Sequence, residues 1–301
     1  MSILFLFIDG IGLGPDAASN PFATVTMPTW QTLIRGKLVQ GICREEDGLV
    51  VKGIDATLGV PGLPQSATGQ TALFTGVNAA RAAGFHIPAF PIKPLTTLLT
   101  RFSILKRAKA LGRTVTSANA YSDAYWQRKR PRHSASTLAI MAADIPFRTM
   151  QHLLDGQAVY WDITHEVAQA SYAPELPRIS PEQAGRNLAH LLQTHDLVLY
   201  ETFLTDLVGH RRLPWPPAKV LGMLDRFLKG VLENLPATAT LVMVSDHGNL
   251  EDTTTRAHTY NSVPLIAYGP DAIAFAAIDD LTGVTPTILD VLASHPAASP
   301  R

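Results

Sequence analysis

Leu241-Val242-Met243-Val244-Ser245-Asp246-His247-Gly248 is a short apolar run that stops in a carboxylate and an imidazole. Side chains along a strand alternate between faces, but where the strand ends the chain turns, so Asp246 and His247 can address two neighbouring ions. Gly248 is read as permitting that turn. A charged pair abutting a buried strand costs free energy unless something compensates it, and a metal ion does. The N-terminus repeats the pattern, because the apolar run Ile3–Ile8 leads straight into Asp9.

Further strands are expected at Arg113–Ala118, Leu197–Tyr200 and Val263–Tyr268, and the run before Ser245 begins at Thr240. Helical patterns lie between them at Leu95–Leu111, Pro181–Thr194, Ala218–Glu233 and Pro286–Leu292, with Pro181 and Pro286 where a first helical turn tolerates proline. Near-continuous apolar strands alternating with helices imply an α/β fold, a mostly parallel sheet covered on both faces. Functional groups in such sheets gather beyond the carboxyl ends of the strands. Asp9, Asp246 and Asp206 all fall there. Lys37–Lys52 reads as a hairpin turning at Glu46-Asp47-Gly48. Residues 121–178 lack a strong period and are expected to form a small lid on a single domain spanning 1–301.

Bulk properties exclude several classes. Lys+Arg and Asp+Glu both number 25 among 301 residues, so net charge offers no argument for nucleic-acid or anionic-membrane binding. The basic run Arg128–Arg132 reads as a solvated loop. One cysteine, Cys43, rules out an intrachain disulfide and a Cys-based zinc cluster, and suits the cytoplasm. Ile3–Ile8 is too short to cross a bilayer and has no basic segment before it, so mature protein is expected to begin near Met1.

Asp206 and His210 stand in D-x-x-x-H spacing, which shares one face if helical. His258 precedes the Val263 strand. Asp9, Asp206, His210, Asp246, His247 and His258 are too many for one tetrahedral ion and suit a pair; mixed Asp and His favours zinc or manganese, with magnesium a third option. A nucleophile is offered by Pro61–Gly76, where a Gly/Pro turn delivers Ser66 to a helix start whose free N–H groups favour an alkoxide and a phosphate. Ser66 or Thr68 can equally serve as a helix cap. Thr71 is a further hydroxyl in the segment.

This ordered set resembles the alkaline phosphatase superfamily, which includes phosphatases, sulfatases, nucleotide pyrophosphatases, phosphopentomutases and cofactor-independent phosphoglycerate mutases. Many members place the nucleophile ten residues before the glycine of a Thr-Gly pair, as Ser66 stands to Thr75-Gly76; Thr68 and Thr71 are alternatives under other alignments. Phe7–Gly12 and Ala257–Pro264 look most like the mutase branch. The resemblance implies a three-layer α/β/α fold, one ion on Asp9, Ser66, Asp246 and His247, and another on Asp206, His210 and His258. It implies a phosphoserine intermediate and a small phosphate ester as substrate. A small lid favours a phosphatase or phosphodiesterase, whereas motif wording favours a mutase. A sulfatase fits poorly, because Gln70 stands where its nucleophile motif has arginine. A non-catalytic binding module is the rival from another class. Arg81, His86 and Lys93 are candidates to hold a substrate anion.

Overall fold

The computed structural model describes residues 1–129 and 132–295, so Arg130 and Pro131 of the basic run lie outside the described residues. Its strands are β1 (Ser2–Ile8), β2 (Arg44–Glu46), β3 (Leu49–Ile54), β4 (Val115–Ser117), β5 (Ala120–Tyr121), β6 (Arg148–Thr149), β7 (Leu197–Thr202), β8 (Ala239–Val244) and β9 (Val263–Tyr268). Seven of them form one sheet in the order β2-β3-β9-β8-β1-β7-β4. β8, β1, β7 and β4 pair in parallel. β9 runs against β8, and β3 against β9, so β3 points with the parallel four and the sheet is mostly parallel. The expected hairpin narrows to β2 and β3 and forms the sheet's edge instead of standing apart from it.

Alternation along the central strands decides the layers. Phe5, Phe7, Leu197, Leu199, Val242 and Val244 face one hydrophobic cluster. Helices α3 (Ser66–Thr75), α5 (Lys93–Phe102), α6 (Ile104–Ala110), α8 (Ala135–Ala143) and α14 (Val284–Ser294) contribute to it. Leu4, Leu6, Val198, Tyr200, Leu241 and Met243 face the other cluster, with α2 (Pro28–Ile34), α11 (Pro181–His190) and α13 (Pro217–Leu232). The short helices α1 (Pro21–Thr24), α4 (Ala79–Ala83), α7 (Asp123–Trp126), α9 (Met150–Leu154), α10 (Glu166–Ser171) and α12 (Leu204–Gly209) complete the chain. The result is the expected three-layer α/β/α arrangement.

The helix expected over Leu95–Leu111 is two helices. Ser103 breaks it with extended backbone and caps the second half, accepting from Lys106 N while donating to Ala139 O at 2.8 Å. α14 begins at Val284, two residues before Pro286. Within 121–178, α8 buries Ala135, Ala139, Ile140 and Ala143 in the main core, so this part of the segment belongs to the helical layer. Ala120, Leu153, Ala158, Tyr160, Ala168, Ala173 and Leu176 make a separate small cluster beside the two-stranded β5-β6 sheet. Among the described residues, no helix is long and apolar enough to cross a membrane.

Candidate metal centre

Parallel strands β1, β7 and β8 end at one edge of the sheet and release their acidic loops together. Asp9 follows β1, Asp246 and His247 follow β8, and Asp206 sits in α12 just past β7. One helical turn places Asp206 and His210 on the same side, Oδ1 to Nε2 at 3.2 Å. His258 closes this group, its Nε2 3.0 Å from His210 Nε2 and 3.6 Å from Asp206 Oδ1. In the neighbouring group, His247 Nε2 lies 3.2 Å from Asp9 Oδ1, 3.6 Å from Asp246 Oδ2 and 3.0 Å from Ser66 Oγ. His247 stands between the groups: its ring stacks on His258 with centroids 3.6 Å apart. Its ligand atom comes within 4.8 Å of those of Asp206 and His258 as well as those of Asp9 and Asp246.

The chemistry of these groups fits cations. His210 Nδ1 donates to Arg256 O and His258 Nδ1 to Pro64 O, each at 2.7 Å, because a carbonyl oxygen can only accept. Each neutral imidazole therefore turns an Nε2 lone pair toward the other and toward the Asp206 carboxylate. Three acceptors converging within 3.6 Å repel unless a positive charge sits among them. The other group makes the same demand: both Asp246 carboxylate oxygens, Asp9 Oδ1 and His247 Nδ1 are buried with no hydrogen-bond partner among the described residues. Asp246 and His247 are fully buried. Burial first, then the charge of Asp206, pushes the Asp246 carboxyl up to about 8. Burial, then Asp246 and Asp206, pushes Asp9 up as well. Without a cation the alternative is protonation: burial pushes Asp206 upward, but His210 and His258 donating from a protonated Nε2 outweigh it and hold that carboxyl below its ordinary range, and Asp206 in turn raises His210. Two divalent ions would settle these opposing demands, and the Asp and His donors suit zinc or manganese.

Several supporting residues escaped the sequence reading. Glu251, 1% exposed, accepts from Gly12 N at 2.9 Å, Asn249 N at 2.7 Å, Asn261 Nδ2 at 3.0 Å and the Thr259 hydroxyl. It thereby ties together the loops carrying Asp9, His247 and His258. Gln70 donates to Asp9 Oδ2 at 3.1 Å, and Ser245 Oγ accepts from Ile11 N at 2.9 Å. An acid five residues after Asp246, in a stretch with no helical or strand period, was the available signal for Glu251. Gly248 is required for a different reason than the expected turn. A Cβ there would stand 2.2 Å from both Glu251 Oε1 and Thr259 Oγ1.

Of the candidate nucleophiles, the structure brings Ser66 to the cluster. Gln65, not Ser66 or Thr68, is the N-cap of α3. Thr68 Oγ1 donates to Gln65 O at 3.0 Å and Thr71 Oγ1 to Ala67 O at 2.6 Å, and both side chains are buried and absent from the cavity wall. A cavity of about 910 Å³ opens beside Ser66, Asp9, Asp206, His210 and His258. Arg81, His86 and Lys93 do not line it. Arg81 lies in the last turn of α4, Lys93 begins α5 on the surface, and the His86 ring lies 3.2 Å from Val60 O and 3.4 Å from Thr68 Oγ1. Among the described residues, Arg128, Arg132 and Arg212 are the arginines that line the cavity.

A family model described as the metalloenzyme superfamily matches residues 1–296. A 2,3-bisphosphoglycerate-independent phosphoglycerate mutase of Paracoccus denitrificans is 29% identical over 146 residues, 46% of this chain and 28% of that protein. A phosphopentomutase of Anaeromyxobacter sp. is 34% identical over 111 residues, 36% of this chain and 26% of that protein. The chain thus covers less than a third of either relative's length. The solved alkaline phosphatase of the Antarctic bacterium TAB5 superposes with a TM-score of 0.59 at 15% identity over 97% of both chains, a likeness of fold.

Proposed function

The chain belongs to the metalloenzyme superfamily, and from that premise we propose that it is a two-metal phosphoryl-transfer enzyme working through a phosphoserine at Ser66. The observation that carries the reading is the position of Ser66 Oγ, 3.0 Å from His247 Nε2, at the start of α3 and at the wall of the cavity. One ion would be held by Asp9, Asp246 and His247 with Ser66, the other by Asp206, His210 and His258. When bound, the pair would supply the charge that favours the serine alkoxide and offsets the negative charge of the phosphoryl oxygens.

The chain's own residues do the rest. The positive end of α3 favours an anion at Ser66 Oγ and a phosphate beside it. Ser66 attacks phosphorus in line, the ester oxygen departs with the organic group, and a second attack releases the phosphoryl group to water or to another hydroxyl. Glu251 fixes the three loops, and backbone carbonyls hold the His210 and His258 rings in the tautomer that presents Nε2. We read residues 1–301 as one domain in which Tyr121, Tyr125, Tyr160, Trp161 and Tyr172, from the 121–178 segment, form a small lid wall. Manganese or zinc is the proposed metal, a small phosphate ester the substrate, and the cytoplasm the compartment that suits the free, exposed Cys43.

The test is to trap the intermediate. Protein loaded with manganese or zinc and mixed with labelled aryl, pentose or glycerate phosphates should give an acid-stable phosphoserine that maps to Ser66 and disappears in Ser66→Ala. Label on another residue, or a Ser66→Ala variant that turns over normally, would refute the assignment. Release of inorganic phosphate identifies a phosphatase, and isomerisation without release a mutase.

A further inference from the structure

Glu201 occupies a place where the strand pattern calls for an apolar side chain. On β7, Leu197 and Leu199 face the α3 and α8 side, and Glu201 continues that row. It is 9% exposed and lines the same cavity as Ser66. Ser136 Oγ donates to Glu201 Oε1 at 2.5 Å, and among the described residues no other hydrogen-bond donor and no ion pair meets this carboxyl. Its backbone is fully committed. Glu201 N donates to Asn119 Oδ1 at 2.9 Å, and Asn119 Nδ2 donates to Glu201 O at 2.8 Å. Asn119 thus extends the β4–β7 ladder with its side chain and holds the Glu201 backbone in place. An acid this nearly buried, with one protein partner and an edge on the cavity, has accepting capacity left for a donor that enters there.

The surroundings say which ligand. Next to Ser136 lies a row of hydroxyls: Ser134 Oγ is 2.8 Å from Ser136 Oγ and 2.9 Å from Thr137 Oγ1, and Tyr121 OH is 3.0 Å from Thr137 Oγ1. Trp161 and Phe203, which line the same cavity, stack on one another with centroids 4.4 Å apart and planes 15° apart. The cavity, about 910 Å³, is far larger than a phosphate group requires. We propose that Glu201, held by the Ser136 hydroxyl behind it, forms a recognition subsite for a hydroxyl or amino donor on the organic part of the substrate, with the aromatic wall taking a flat ring. The ligand class is a phosphate ester of a ring-bearing alcohol that carries a further donor. A carboxylate placed against Glu201 instead meets an acid and is selected against at that point, although Arg128, Arg132 and Arg212 line the same cavity. Burial, which pushes the Glu201 carboxyl up to about 7, agrees with a group ready to accept or share a proton there. The phosphate half of this inference rests on the proposed phosphoryl transfer.

Glu201 also lies near the first turn of α8, where a purely structural acid would favour the helix dipole. An isosteric series separates the two roles. The kcat/KM values of (aminomethyl)phenyl, tolyl and carboxyphenyl phosphates, each as meta and para isomers, are measured on wild type, Glu201→Gln and Ser136→Ala, with folding checked by circular dichroism. Wild type should favour the aminomethyl ester over tolyl, and tolyl over carboxy, by roughly ten-fold or more at each step. Glu201→Gln should collapse that ranking, and Ser136→Ala should weaken it. A ranking that is flat in wild type, or unchanged in Glu201→Gln, overturns the subsite. Benzylamine and benzoate, which carry no phosphate, are titrated in parallel by ligand-observed NMR. Benzylamine binding that weakens about ten-fold in Glu201→Gln supports the subsite even if no ester is turned over. Equal binding of benzylamine to both proteins refutes the subsite while leaving phosphoryl transfer standing.

Discussion

Replacing Glu201 by glutamine should make the protein more stable, and increasingly so as pH rises. In the fold the Glu201 carboxyl titrates near 7, against an ordinary 4.5, chiefly because burial disfavours the charged form and is only partly offset by the Ser136 hydroxyl. Below pH 4.5 the group is protonated in both folded and unfolded chains and costs nothing. Between 4.5 and 7 the unfolded chain loses the proton that the folded chain keeps, so stability falls as pH rises, and above 7 the penalty is constant. A shift of this size corresponds to about 3 kcal/mol. The phenols facing Glu201 do not interfere, because burial pushes both Tyr121 and Tyr125 upward and they stay neutral throughout. Urea unfolding of wild type and Glu201→Gln, both at saturating metal, cancels what the two proteins share. The stability difference should grow by about 2–3 kcal/mol in favour of the variant between pH 5 and pH 8. A difference that stays flat, or that grows in favour of wild type, would refute the reasoning.

Other expectations concern the metal centre. Glu251→Ala should leave the sheet intact but weaken metal affinity by about 10–100-fold, measured by chelator competition, because three ligand-bearing loops lose their common anchor. Gly69→Ala would place a Cβ 2.8 Å from Asp246 O, forcing α3 and Ser66 away from His247 at about 1–3 kcal/mol, seen as a lower denaturation midpoint together with lost phosphoenzyme. Stripping the metals should lower the thermal midpoint reversibly, since metal at a hundred times its dissociation constant stabilises by about 2.7 kcal/mol per site.

The sequence disclosed the parts of the site that chain order and strand ends can carry. Val263–Tyr268 is the observed β9, and Asp9 and Asp246 fall at strand ends because an apolar run that stops in an acid has few other readings. The geometry of α3 also favours Ser66 over Thr68 and Thr71, which a linear spacing could not decide. What stayed hidden depends on tertiary approach. Glu251, Gln70 and Glu201 carry no periodic signature and acquire their partners from residues 239, 61 and 65 positions away. Arg81, His86 and Lys93 have side chains able to bind a substrate anion, yet α4, the contacts of His86 with Val60 and Thr68, and α5 direct them elsewhere. α8 falls within the expected lid and has no legible period, because its apolar and small residues are buried on most sides and show little amphipathic contrast.

If one ion sits with Ser66 and a second beside it, anomalous scattering from crystals grown with manganese will locate both. Two peaks about 3.5–4 Å apart are expected, one against Asp9, Asp246 and His247 and one against Asp206, His210 and His258. No peak at saturating manganese, or a single peak shared by all six side chains, would contradict it.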